Sequence, residues 1–67
     1  MTPEEALIKA KEHFSRRKLL WQEPVHVNDR SDHFELMTNS NFRGGNAIIL
    51  VFKETGRIIL QKRPGGR

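Results

Sequence analysis

Apolar residues recur near the start of the chain in steps of three and four: Leu7, Ala10, Phe14 and Trp21, flanked by Ala6 and His13. Such spacing turns one stripe of a helix toward a core. Thr2-Pro3-Glu4-Glu5 supplies the start. The threonine hydroxyl can accept from a first-turn amide, Glu5 can reach back to the cap, and proline suits the first helical position. Glu4 and Glu5 complement the positive end of the helix dipole, and Arg16, Arg17 and Lys18 its negative end. The pattern predicts a helix over residues 3–18.

Beyond it the period changes from near four to two. Pro24 stops any helical continuation. Val25 and Val27 alternate with His26 and Asn28, predicting a strand that the proline places at a sheet edge. Asn28 to Asp32 is turn chemistry. From His33 to Thr38, Phe34 and Leu36 share one side, with His33, Glu35 and Met37 on the other. Asn39 to Asn46 reads as a polar loop with Gly44-Gly45 and an exposed Phe42. Ala47 to Phe52 is almost unbroken aliphatic sequence, Lys53-Glu54-Thr55-Gly56 a hairpin turn, and Arg57 to Lys62 the return strand.

Helix, strand, strand, strand, strand with short connections predicts an α+β fold: one N-terminal helix packed on a three- to four-stranded antiparallel meander sheet (αββββ). Residues 1–63 are expected to form one domain, and 64–67 a flexible tail. In the aliphatic strand, Ile48, Leu50 and Phe52 point one way and Ala47, Ile49 and Val51 the other, so both sheet faces are apolar. A single helix covers one of them. The uncovered face is expected to carry Ala47, Ile49, Val51, Ile59 and Gln61 and to serve as a protein interface, closed by a second copy of the chain or by another protein. Burial of about 400 Å² there would contribute about 10 kcal/mol before association costs. The alternative is a sheet curled enough for Trp21 and Met37 to fill that side.

Composition narrows the chemistry. A chain of 67 residues buries a small core. It has no cysteine, which removes disulfides and thiolate chemistry and fits a reducing, cytoplasmic setting. No apolar stretch reaches membrane-spanning length, so no membrane partner is expected. Twelve Lys and Arg against eight Asp and Glu give a net charge of +4. That excess admits nucleic acid as a second partner class, with Arg16, Arg17, Lys18, Phe42 and Arg43 as candidate contacts, joined by Lys9, Lys11, Lys62, Arg63 and Arg67.

Catalysis finds little footing. His13, His26 and His33 match no compact zinc spacing, and Asp29 and Asp32 are ordinary loop residues. Ser15, Ser31 and Ser40 lack a nucleophile-elbow context. Gly44-Gly45 after Arg43 is either an anion-binding nest or, more simply, a flexible connection. Neither enzymatic activity nor a cofactor is expected.

Two resemblances add to this. The hairpin from Ala47 to Arg63 resembles the opening hairpin of Nudix hydrolases, but that family's metal-binding helix, with its Arg-Glu and paired-Glu signature, is not among these residues, so its activity is not implied. Thr2 to Phe14, together with Gly45-Asn46-Ala47 and Lys53-Glu54-Thr55-Gly56-Arg57-Ile58, resembles the YrhB-like group of small bacterial immunity proteins. PepSY-type domains share the helix-then-hairpin layout. This resemblance implies a cystatin-like or related α+β fold and a non-catalytic role, such as blocking a toxin by direct binding. Pro24 early in the first strand departs from the YrhB-like pattern. The expectation is a protein-binding module, immunity-like or an accessory of a mobile element.

Overall fold

In the computed structural model, which describes residues 1–65, helix α1 spans Pro3–Arg16. Its start is the reciprocal cap that the sequence predicts: the Thr2 amide donates to Glu5 Oε1 at 2.8 Å, and the Glu5 amide to Thr2 Oγ1 at 3.2 Å. The helix ends two residues earlier than expected because Lys18 adopts a left-handed φ of 57°. The Lys18 amide then donates to the Ser15 carbonyl at 3.2 Å and the Leu19 amide to the Phe14 carbonyl at 2.9 Å. These two bonds form a Schellman closure, usually built on glycine, which meets no side-chain penalty in that conformation. Lys18→Gly is therefore expected to raise stability by about 1 kcal/mol, read as a higher urea midpoint at unchanged slope.

Four strands follow: β1 (His26–Asp29), β2 (His33–Met37), β3 (Ile48–Phe52) and β4 (Ile58–Lys62). They form an antiparallel meander in the order β1-β2-β3-β4. The fold is the α+β arrangement that the switch in period predicts. The helix lies over β2 and β3, and its Ala6, Ala10 and Phe14 pack on Phe34, Leu36, Ile49 and Val51, all nearly or fully buried. Two small alanines on the contact stripe let the helix axis approach the sheet closely. Trp21 lies past the helix end and folds back, its ring edge-on to Phe14 with centroids 5.1 Å apart.

Turn chemistry sets the strand register. Gly56 has a φ of 75° and donates to the Phe52 carbonyl at 2.8 Å, while the Phe52 amide donates to the Arg57 carbonyl at 2.8 Å. A β-carbon at Gly56 would also lie 3.3 Å from Lys9 Cε, so the turn and the start of the helix meet at one end of the sheet.

The β2–β3 loop is tied from within by Asn46. Its Nδ2 donates to the carbonyls of Thr38, Asn39 and Phe42 at 2.8, 2.7 and 3.2 Å, and its Oδ1 accepts from the Gly44 amide at 3.1 Å. Thr38 Oγ1 accepts from the Ala47 amide at 2.9 Å. Of the expected tail, the Gly65 amide donates to the Gly45 carbonyl at 3.3 Å. Gly66 and Arg67 lie outside the described residues.

Candidate protein-binding surface

Cross-strand partners share a sheet face. Phe34 stands opposite Val51, Leu36 opposite Ile49, Ile49 opposite Leu60 and Val51 opposite Ile58. This is the face beneath the helix. The opposite parity collects Met37 with Ile48, Glu35 with Leu50, His33 with Phe52, and Leu50 with Ile59. No element of the described chain covers this second face.

The register corrects the expected interface. Ala47, Ile49 and Val51 are fully buried under α1 and are core, not contact surface. Ile59 and Gln61 are exposed, but Ile59 belongs with Leu50, on the other side from Ile49. Gln61 is the residue skipped where the register shifts between Ile48–Lys62 and Ile49–Leu60, a β-bulge. The expected set therefore joined residues of opposite faces. The physical reason lies in β2. Glu35 and His33 flank Leu50 and Phe52, and a helix laid on that side would strip water from a carboxylate. On the other side β2 itself presents only Phe34 and Leu36, with Asp29 and Lys53 paired at the margin and Thr38 hydrogen-bonded to the Ala47 amide.

The open face has two halves. On β3 and β4 it is apolar: Ile48, Leu50 and Phe52, with Met37 beside them and Ile59 38% exposed at the rim. On β1 and β2 it is polar and internally paired. Arg30 donates to Glu35 Oε1 at 3.0 Å, Asn28 Nδ2 reaches the same oxygen at 3.4 Å, and His33 Nδ1 lies 2.6 Å from Asp32 Oδ1. The hydrogen bond from Arg30 holds the Glu35 carboxyl below its usual range, and the bond to His33 does the same for Asp32. At the hairpin end, Asp32, Phe52, Glu54, Thr55, Arg57 and Ile59 line a depression of about 260 Å³. Trp21 does not fill this side, because its ring packs on Phe14 beneath the opposite face.

The total exposed area is 4550 Å², against about 4,400 Å² for a compact monomer of this mass. Any case for a partner therefore rests on which atoms are exposed, not on how much surface there is.

Most of the candidate nucleic-acid contacts fall at one end of the domain, but Lys9 lies against Gly56 at the opposite, hairpin end. The Asn39 and Ser40 amides donate to the Gln22 and Pro24 carbonyls at 3.1 and 3.0 Å, which brings the start of the β2–β3 loop beside the segment leaving the helix. Arg16, Arg17 and Lys18 thus share an end of the domain with exposed Phe42 and Arg43. The Gly65–Gly45 bond leads Lys62 and Arg63 to the same end. The Gly44 amide already serves Asn46, so Gly44-Gly45 is a structural connection. Among the described residues, no three His, Asp or Glu side chains are grouped so as to hold a metal ion, and no helix is long and apolar enough to cross a membrane.

His13 gives this end a pH dependence. Burial of its ring, then the charges of Arg17 and Arg16, lower its pKa from 6.5. The unfolded chain therefore binds more protons than the folded one as pH falls through the ordinary histidine range. Stability rises with pH across that window and is lost on acidification. The melting temperature is expected to fall between about pH 7.5 and pH 5.5, and to fall less in His13→Gln.

Comparison of the chain with protein-family models, with curated proteins and with solved structures gives no match.

Proposed function

We propose that the chain is a non-enzymatic protein-binding module, cytoplasmic in setting, that docks through the uncovered sheet face onto a second copy or another protein. The observation that carries this reading is that one helix serves a four-stranded sheet, leaving Met37, Ile48, Leu50, Phe52 and Ile59 together on the other side. An apolar cluster rimmed by paired polar residues is the common anatomy of an interface. The likeness of Thr2–Phe14 and Gly45–Ile58 to YrhB-like immunity proteins points the same way, toward neutralising a toxin by contact.

A second reading, a small basic nucleic-acid binder, is favoured by one observation. Backbone bonds from Asn39 to Gln22, Ser40 to Pro24 and Gly65 to Gly45 bring the segments that carry Arg16–Lys18, Arg43 and Lys62–Arg63 toward the end of the domain with Phe42, which is 65% exposed. Salt separates the two. Association through the apolar face should hold or tighten as salt rises, while polyanion binding should weaken steeply. Electrophoretic mobility shifts at physiological salt that vanish on replacing Arg16, Arg17 and Lys18 would establish the second reading over the first.

A further inference from the structure

The open face alone is small. Four residues in β1 and five in each of the other three strands give a footprint of about 300 Å², whereas a standard interface takes about 800 Å² per partner. A partner that grips this face firmly needs surface beside it, and β4 borders it directly through Ile59.

β4 is an edge strand with the features of an acceptor. The Phe52 amide donates to the Arg57 carbonyl, while the Phe52 carbonyl is taken by the Gly56 amide in the turn, so both backbone groups of Phe52 face β4 and set the phase of the ladder. By the alternation of such ladders, the N–H and C=O groups of Ile58 and Leu60 point away from β3, to the free edge. Among the described residues no other segment takes them up. The strand holds no proline and no acid, and the helix lies over β2 and β3. The opposite edge, β1, is four residues long, follows Pro24, and ends at Asp29, whose carboxylate is held by Lys53. A short, charged edge of that kind discourages pairing.

Charge selects the occupant. Arg57, Lys62 and Arg63 line β4 and its exit. Asp32 and Glu54 share the hairpin-end depression with Arg57, while no carboxylate occurs in the sequence from Thr55 to Gly65, so the cationic excess lies toward Lys62 and Arg63. Two copies joined edge to edge would set these cations along one shared seam, and facing like charges destabilise a ladder. An acidic strand meets the same row favourably. Resting on the protein-binding reading above, we propose that the β4 edge accepts an extended, acidic strand of another protein, which adds to the sheet and continues the open face beyond Ile59.

The test is amide hydrogen exchange followed by NMR on the full chain. The probe is a blocked hexapeptide alternating glutamate and valine, with two twins: lysine in place of glutamate, and N-methylated along one edge. The glutamate peptide is expected to slow exchange at Ile58 and Leu60 about tenfold at ten times its dissociation constant. Ile59, already paired with Leu50, should change little, and both twins should be without effect. An Arg57→Glu/Lys62→Glu variant should reverse the preference toward the lysine peptide. No slowing at about 1 mM glutamate peptide, the range of weak complexes, overturns the proposal, as does equal slowing by the lysine twin. Slowing at Ile58 and Leu60 that depends on protein concentration without peptide would make a second copy the occupant instead. Peptide-induced shifts confined to Leu50, Phe52 and Met37 would overturn the edge proposal and leave the open-face reading standing.

Discussion

Ile49→Lys is expected to leave the protein unfolded at 25 °C, while Leu50→Lys, one residue along, is expected to fold. Ile49 is fully buried between α1 and its cross-strand neighbours Leu36 and Leu60. Removing its side chain costs about 2–5 kcal/mol in lost transfer and cavity terms. Leaving an unpaired ammonium there adds several kcal/mol more. A domain of this size holds about 3–5 kcal/mol in total, so the sum exceeds what is available. Leu50 stands on the open face between Glu35 and Ile59, where a lysine can reach water and lies beside a carboxylate. Circular dichroism with a thermal scan decides between the two. A folded Ile49→Lys protein would mean that the helix does not cover this face.

Phe14→Ala should have the next largest effect, a loss of about 3–5 kcal/mol. Phe14 is 1% exposed and supports the edge of Trp21 from the last turn of the helix. Its carbonyl also accepts the Leu19 amide that closes the helix. That backbone bond survives the substitution, but the apolar contact that accompanies such closures does not. Trp21 is the single tryptophan, so its fluorescence reports the change directly: a red shift in native buffer and a lower urea midpoint. An unshifted spectrum with stability within about 1 kcal/mol of the parent would show that the Phe14–Trp21 contact contributes little.

The helix and the strands were legible because each has a local cause. Thr2 and Glu5 mark the start of α1, Gly56 permits the last hairpin, and alternation assigns Phe34 and Leu36 to one side of β2. What failed was the choice between two apolar sides of β3. Parity within a strand says which residues share a face, never which face is inward. The missing signal lay one strand away, in Glu35 and His33: once β2 and β3 are paired, their polar groups mark the watered side, and Leu50 and Phe52 go with them. That step needs the register, which residue spacing alone does not provide.

Other features depend on contacts distant in sequence. The helix stops at Arg16 through a left-handed lysine, a conformation propensity argues against. Trp21 fits the helical spacing yet reaches Phe14 from outside the helix. Asn46 looked like one polar residue among many in a loop, but its amide gathers three carbonyls and makes that loop a built element. The segment leaving Arg16, Arg17 and Lys18 meets the loop that carries Arg43 where the Asn39 and Ser40 amides donate to the Gln22 and Pro24 carbonyls.

The central claim, that the uncovered face of the sheet is a contact surface, is tested most directly by sedimentation equilibrium at micromolar concentration with an apolar dye present. The protein is predicted either to sediment above its monomer mass of 7.8 kDa or to carry dye, and Leu50→Lys to do neither. A dye-free parent species at 7.8 kDa would contradict the account.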